Sequence, residues 1–452
     1  MELDMTKGAP LKLIIKFMIP LVIGNVFQQF YSMTDTILVG NFVGVNALAA
    51  VGATGTIMFL ILGFIQGLTT GFTVLTSQRY GAGDYEAMRK SVGNGMILSA
   101  IIIVIFTIIS VMGMDWLLHL MNTPEDIYDD ARTYIIIICY GIVASVLYNM
   151  SASVLRAIGN SKVPLYFLIM SAVLNIGLDI LFIKYFAMGV AGAGWATVLA
   201  QGISGLSCII YIWKKVPILK LTQEDFQISQ KIVRIQLRIG IPMALQFSIT
   251  AVGTIMVQSV LNMLGSTAVA AYTAASKIEQ LITQPFFAAG FTMATYGGQN
   301  KGVNQIKRIR QGVKITFLIT SIYAVIAAIF AIATMPVLLQ LFIREDYELI
   351  LPYATTYITL SSLFYIPLVG IFVYRNVLQG CGFAMVPMFG GVVELVSRMV
   401  VAIIAARLMS FTGVCLANGI TWLVTAIYLI ISYTILMRRE QDVGDMEIGD
   451  AG

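Results

Sequence analysis

The stretch PLVIGNVFQQFYSMTDTILVG, Pro20–Gly40, is apolar enough to cross a bilayer yet carries Pro20, Asn25, Gln28, Gln29 and Asp35. A carboxylate inside a membrane helix costs about 3 kcal/mol on insertion scales. Chains seldom accept that cost against lipid, so Asp35 is expected to face a protein interior and to carry function. A helix end wetted by headgroups is the plain alternative, but Thr36 to Gly40 still follow before the apolar run closes. Pro20 lacks the N–H that a helix would use, which makes it the expected kink, either as a packing feature or as a hinge that reads out the state of Asp35.

The whole chain has the same character. Of its 452 residues 58% are hydrophobic and 11% charged, with mean hydropathy +0.87. Soluble domains carry about 25% charged residues, so the class is polytopic membrane protein. The excess of 28 Lys+Arg over 23 Asp+Glu belongs to loop placement and implies no nucleic-acid partner. Cys139, Cys208, Cys381 and Cys415 sit in apolar runs without metal-type spacing and read as small buried hydrophobes. One histidine, His119, in an acidic loop, gives triad or His-metal chemistry almost no material, so neither an enzyme nor a cofactor is expected.

Twelve apolar segments approach the ~20 residues needed to span hydrocarbon. They run over 12–38, 47–76, 94–118, 133–155, 163–183, 189–213, 239–263, 269–296, 313–338, 352–377, 386–408 and 412–437. The N-terminus, alternate loops and C-terminus hold 22 of the Lys and Arg, Arg375 among them, against 4 on the other side: Arg132, Lys184, Arg344 and Arg407. By the positive-inside rule both termini are cytoplasmic, and the loop from Asp115 to Asp130, with its five acids, faces out. The basic stretch Lys214 to Arg238 reads as an interfacial linker. The expected division is an N-lobe 1–213, linker 214–238, C-lobe 239–437 and cytoplasmic tail 438–452.

The lobes repeat. Gly44 to Ala50 answers Gly265 to Ala271, Tyr80-Gly81 answers Lys301-Gly302, Leu155 to Gly159 answers Leu378 to Gly382, and Gly189-Val190 answers Gly413-Val414. The offsets stay between 221 and 224, and that constancy points to duplication of a six-helix unit. Six is even, so the copies share one topology and are related by an axis along the membrane normal. Transported substrates and coupling ions usually sit near the midplane of such folds.

The polar residues of the N-lobe segments form one constellation. Asn175 and Asp179 are four apart and share a helix face. Counting ~1.5 Å per residue puts Asp35 and Asp179 both roughly 7 Å inside the outer face, with Asn175 and Thr197 near 12–13 Å. Two carboxylates brought together in low dielectric cannot both stay ionised without a counter-charge. Asp35, Asn175, Asp179 and Thr197 are therefore the candidate site for H⁺ or Na⁺; a hydrogen-bonded pair that only pins two helices is the alternative. Asn149 is placed nearer the cytoplasmic half. Gln29, Gln66, Tyr148 and Gln201 are candidate cavity residues, while Gly81-Ala82-Gly83 and Gly192-Ala193-Gly194 read as helix-packing positions.

Gln28 to Ala50, with QxxYSMTDTILVG followed by ALAA, resembles the opening of MATE multidrug and toxic-compound extrusion transporters. So do Ser77 to Asp84, Leu155 to Pro164, and Asn175-x-x-x-Asp179, and the similarity covers essentially the whole chain. The resemblance implies an all-α fold of twelve transmembrane helices in two six-helix lobes, and alternating access driven by Na⁺ or H⁺ antiport. It also implies lipophilic organic cations as substrates. The match is to the DinF-like branch, whose coupling network falls on Asp35, Asn149, Asn175, Asp179 and Thr197. NorM-like transporters carry acids on segments seven and ten, where this chain has Gln246 and Gln258 on seven and no acid within ten. The C-lobe instead holds Lys277 and Glu279 on segment eight, and Glu394 with Arg398 on eleven. The expected protein is a monomeric, cation-coupled drug exporter of a bacterial plasma membrane. The alternatives are a lipid-linked oligosaccharide flippase, disfavoured because the N-lobe interior has no basic residue for a pyrophosphate, and a passive channel.

Overall fold

The computed structural model describes residues 2–121, 123–340 and 347–449; Arg344, counted above on the outer side, lies outside them. Fifteen α-helices follow one another: α1 (Pro10–Phe42), α2 (Val45–Gly81), α3 (Tyr85–Leu120), α4 (Glu125–Tyr140), α5 (Ile142–Ala157), α6 (Lys162–Asp179), α7 (Gly189–Lys215), α8 (Gln230–Asn262), α9 (Ser266–Ile282), α10 (Gln284–Gly302), α11 (Ile306–Leu339), α12 (Tyr347–Ser362), α13 (Tyr365–Gly380), α14 (Met385–Arg407) and α15 (Phe411–Gly449). Among the described residues nine helices are long and apolar enough to cross a membrane alone, and the bent pairs α4–α5 and α12–α13 bring the spans to eleven. The remaining expected segment, the eighth, is α9 and α10, parted at Thr283. The outward faces are apolar: on α3 alone Ile101, Val104, Ile105, Ile108, Ile109 and Met112 are exposed, as lipid-facing residues must be.

The boundaries differ from the sequence reading wherever a break is internal. Span four starts at Glu125, not 133, and bends by 47° at Gly141; span ten starts at Tyr347 and bends by 50°. Most of the expected acidic loop is helical, because Asp115 and His119 belong to α3 and the acids from Glu125 onward to α4. Arg375 is no loop residue but a buried member of α13. α1 runs through Pro20 as one helix. The tail continues α15 as far as Gly449.

The repeats have a backbone counterpart. Gly44 and Gly265 have φ of 123° and 94°, Gly159 and Gly382 have 83° and 93°, and Gly83 and Asn304 have 74° and 55°. Each pair ends or starts a helix at matching places in the two repeats, with glycine, or asparagine once, where a positive φ is needed. The matched bends of spans four and ten extend the correspondence. The intact α2 against the broken α9–α10 is where it fails.

The chain divides into two compact units, Met1–Asp4 with Ile19–Ala244, and Met5–Met18 with Leu245–Gly452. The cuts fall inside α1, beside Pro20, and inside α8, rather than in the linker. A reason is visible at Gly67 and Gly71 of α2. A Cβ on Gly67 would lie 2.6 Å from the Ala244 Cα, and one on Gly71 2.4 Å from the Gly240 Cα. Backbones this close tie the first half of α8 to the first unit.

The stretch after α7 docks on α3. Thr222 and Asp225 cap a 3₁₀ turn, Gln223–Phe226, and Asp225 pairs with Arg89 at 3.7 Å. Asn94 on α3 donates from Nδ2 to Gln227 O (3.1 Å) and accepts from Ser229 N (2.9 Å). Residues 230–238, expected to be linker, already form α8. Asn94→Ala leaves those backbone groups unpaired and should cost about 1–3 kcal/mol. Limited proteolysis should cut between residues 216 and 229 faster in that variant than in the wild type.

Candidate functional site

Four helices of the first unit each contribute residues one turn apart: Tyr31 and Asp35 on α1, Ser145 and Asn149 on α5, Asn175 and Asp179 on α6, Thr197 and Gln201 on α7. Residues four apart share a helix face, so each helix turns a pair inward. Asp179 is the last residue of α6; from Ile180 to Tyr185 the helix widens into a π-turn. Such widenings interrupt the regular ladder and often mark functional positions. Gly192 and Gly194 let α7 come close, since added Cβ atoms would meet Phe182 at 3.1 Å and Ile137 at 3.0 Å.

The acids meet. The Asp35 and Asp179 carboxyls lie within hydrogen-bonding reach of each other. Asn175 donates from Nδ2 to Thr197 Oγ1 (3.2 Å), and the Tyr31 hydroxyl lies within reach of Thr197. Asp179 and Asn175 are fully buried and Asp35 partly so. Four buried oxygens have no donor: Asp35 Oδ1, Asn175 Oδ1, and Asp179 Oδ1 and Oδ2. Among the described residues neither acid makes an ion pair. Buried carboxylates without partners cost several kcal/mol, so this arrangement calls for positive charge between them. The donor set, two carboxyls with an amide oxygen and a hydroxyl nearby, fits a shared proton or one small monovalent cation.

Next to the acids is a cavity of about 110 Å³ whose walls include Gln28, Tyr31, Gln66, Tyr148, Asn149 and Gln201. Tyr31 belongs to both the acid cluster and the cavity wall. Ser145 Oγ donates to Gln201 Oε1 (2.6 Å), and Asn149 Nδ2 is taken by Ser145 O (2.8 Å). Asn149 thus lines the cavity and makes no hydrogen bond to either acid. Of the expected cavity residues, Gln66, Tyr148 and Gln201 are in the wall, whereas Gln28 takes the place expected for Gln29. Neighbouring residues on a helix point about 100° apart, so a one-residue register error moves a side chain off the face. No lining residue carries a charge.

A family model described as MatE matches residues 20–181 and 239–404, the two repeats in turn. The chain belongs to the MatE family. A probable multidrug resistance protein of Bacillus subtilis, YpnP, is 34% identical over 308 residues, 68% of each chain. YoeA of the same organism, also described as a probable multidrug resistance protein, is 28% identical over 354 residues, 76% of each. Among solved structures, the outward-facing form of a multidrug resistance MATE family transporter superposes with a TM-score of 0.90 at 24% identity, over 97% of this chain and 98% of that one. The fold is therefore the all-α, twelve-span, two-lobe MATE fold, and the protein is a multi-pass membrane transporter rather than an enzyme.

Three MatE site residues escaped the sequence reading. Tyr31 precedes Asp35 by four and Ser145 precedes Asn149 by four, and that spacing was the available signal. Tyr134, 2% exposed on α4, lies within electrostatic range of both acids and has no such spacing to betray it. In the second unit, Glu394 accepts from Arg398 Nη2 (3.0 Å) and also from Arg375 Nη2 (2.8 Å), so the expected pair is a buried triad linking α13 to α14. Gln379 Nε2 donates to Gln246 Oε1 (2.7 Å) beside it. Lys277 is exposed while Glu279 is buried, so the two take different faces of α9.

Proposed function

We propose that this MatE protein exports lipophilic, mostly cationic small molecules from a bacterial cell in antiport with H⁺ or Na⁺. It does so by alternating access, in the plasma membrane, with both termini cytoplasmic. The observation that carries the reading is the Asp35–Asp179 pair, three of whose oxygens are orphaned in a buried, uncompensated setting. When a proton or Na⁺ enters, that demand is met; when it leaves, the acids repel and α1 and α6 must repack. Tyr31 extends the same contacts to the cavity wall, so substrate and ion compete for one set of helix positions. The names of the Bacillus subtilis relatives support drugs as cargo. A cavity of amides, hydroxyls and aromatic rings suits a flat cation better than a pyrophosphate, which argues against the flippase.

Everted vesicles carrying the protein, with an ethidium-like dye added to the outside medium, test this. An imposed Na⁺ gradient or an imposed pH gradient, applied separately, should drive dye movement, and dissipating the effective one should stop it. Dye movement indifferent to both gradients would overturn the coupling, and lipid-linked oligosaccharide translocation without dye transport would favour the flippase.

A further inference from the structure

The triad of Arg375, Glu394 and Arg398 does not balance its charge. Glu394 accepts from Arg375 at Oε2 and from Arg398 at Oε1, so two guanidiniums share one carboxylate and one positive charge is left over. Among the described residues neither arginine pairs with a second acid. Arg375 and Arg398 are only 8% and 5% exposed, and the Nε donor of each is buried without an acceptor. The surroundings on α8 are neutral. Gln246 is taken by Gln379, and a Cβ on Gly253 would lie 3.0 Å from Arg398 Nη1, so the guanidinium lies against a residue without a side chain. A buried charge that is not fully compensated costs several kcal/mol, so the cluster calls for an anion.

The repeat says what this place corresponds to. The offset of 223 that relates Leu155–Gly159 to Leu378–Gly382 carries Ser171 to Glu394 and Asn175 to Arg398. The offset of 224 that relates Gly189 to Gly413 carries Thr197 to Thr421 and Gln201 to Thr425. In the first unit Ser171 and Gln201 line the cavity, while Asn175 and Thr197 belong to the acid cluster. In the second, the Thr421 and Thr425 hydroxyls are buried without a hydrogen-bond partner. Asp179 falls on Ala402, and α8, the counterpart of α1, has no acid. The second repeat thus keeps the polar positions and reverses their sign, with bases where the first has acids.

We propose that Arg375 and Arg398 form an anion site that takes the carboxylate of a small molecule. Glu394 fixes the two guanidiniums and leaves their Nε donors for the ligand, and arginine donors in a planar fork are suited to carboxylate oxygens. One surplus positive charge matches one carboxylate, not a pyrophosphate. All of these residues lie in the second unit, so the site is separate from the Asp35–Asp179 pair and does not depend on the coupling reading.

The test melts the purified full-length protein in detergent, at fixed ionic strength, with sodium benzoate or with benzamide, its neutral isostere. Binding of radiolabelled benzoate is measured in parallel. Benzoate should bind saturably and raise the melting temperature, and benzamide should do neither. Arg398→Gln should weaken benzoate binding by about tenfold or more, as expected for loss of a charge-assisted contact. Glu394→Gln, which removes the competing carboxylate, should tighten it even if the protein melts lower. A triad that only pins helices would lower the melting temperature in both variants and leave benzoate without effect in the wild type. Equal responses to benzoate and benzamide, or unchanged benzoate binding in Arg398→Gln, would overturn the proposal. Should Arg398→Gln fail to fold, Glu394→Gln must still tighten binding; unchanged or weaker binding there also overturns it. Everted vesicles then separate the two sources of the carboxylate, using rhodamine B, a zwitterion, and its cationic ethyl ester. A lower ratio of rhodamine B to ester transport in Arg398→Gln makes the carboxylate part of the cargo, and an unchanged ratio makes it a free anion. Loss of all dye transport in Asp35→Asn bears on the coupling reading alone, so the two failures are distinguishable.

Discussion

Asp35→Asn should reduce gradient-driven dye efflux to background, and Asp179→Asn should do the same, while both proteins remain folded. Asparagine matches aspartate in shape and keeps one oxygen in place, so helix packing around residue 35 should survive. What disappears is the pair's need for a positive charge: one carboxylate remains where two met within hydrogen-bonding reach. A carrier whose site no longer requires a cation in one state cannot convert its gradient into work. The melting temperature should stay level or rise, because removing an unpaired buried carboxylate removes a desolvation cost. That rise separates a coupling pair from a structural one, since a pinning hydrogen bond would lose stability when broken. Thr197→Ala should act more mildly, depriving the Asn175 amide of its acceptor at a cost of about 1 kcal/mol. Efflux by Asp35→Asn at the wild-type rate would remove the acid from the mechanism.

Much of this site was legible in the sequence for one physical reason: lipid makes buried polarity expensive, so polar residues inside apolar segments stand out. Asp35, Asn175, Asp179 and Thr197 were found that way, and the structure brings the acids together and joins Asn175 to Thr197. Duplication was legible through short motifs at constant offset, two of which hold positive-φ glycines at helix ends in both copies, Gly44 with Gly265 and Gly159 with Gly382. Tyrosine carries no such penalty, because its ring suits a membrane interior, and Tyr31 passed unnoticed although it bridges the acids and the cavity. Helix breaks were also hidden. The bends at Gly141 and after Ser362 interrupt apolar runs without any change of composition, and the hydropathy that marks a span says nothing of its direction. The unit boundary inside α8 could not be seen at all, because it depends on which glycines of α2 face which residues of α8.

Those glycines support a contrast within a single helix. Gly52, Gly55, Gly67 and Gly71 all belong to α2, so helix propensity alone would make alanine better at each by about 0.5–1 kcal/mol. A Cβ at Gly52 or Gly55 meets nothing within 4 Å, and those alanine variants should be neutral or stabilised. At Gly67 the same atom would meet Ala244 backbone at 2.6 Å, and at Gly71 Gly240 backbone at 2.4 Å. Backbone cannot rotate aside as a side chain does, so α8 must move away and forfeit its packing along that seam. Gly71→Ala should cost about 1–3 kcal/mol, the usual range for overpacking, and Gly71→Leu should yield little folded protein. Gln236 shares the damage: it is fully buried on α8, and its Nε2 donates to Phe72 O (3.2 Å) and Ser91 O (2.7 Å), bonds that a displaced helix stretches or breaks. Melting temperatures in detergent for the four alanine variants would decide the matter. If Gly71→Ala melts with Gly55→Ala at or above the wild type, the close approach of α2 and α8 does not hold the first half of α8 to the first unit, and the boundary within that helix must have another cause.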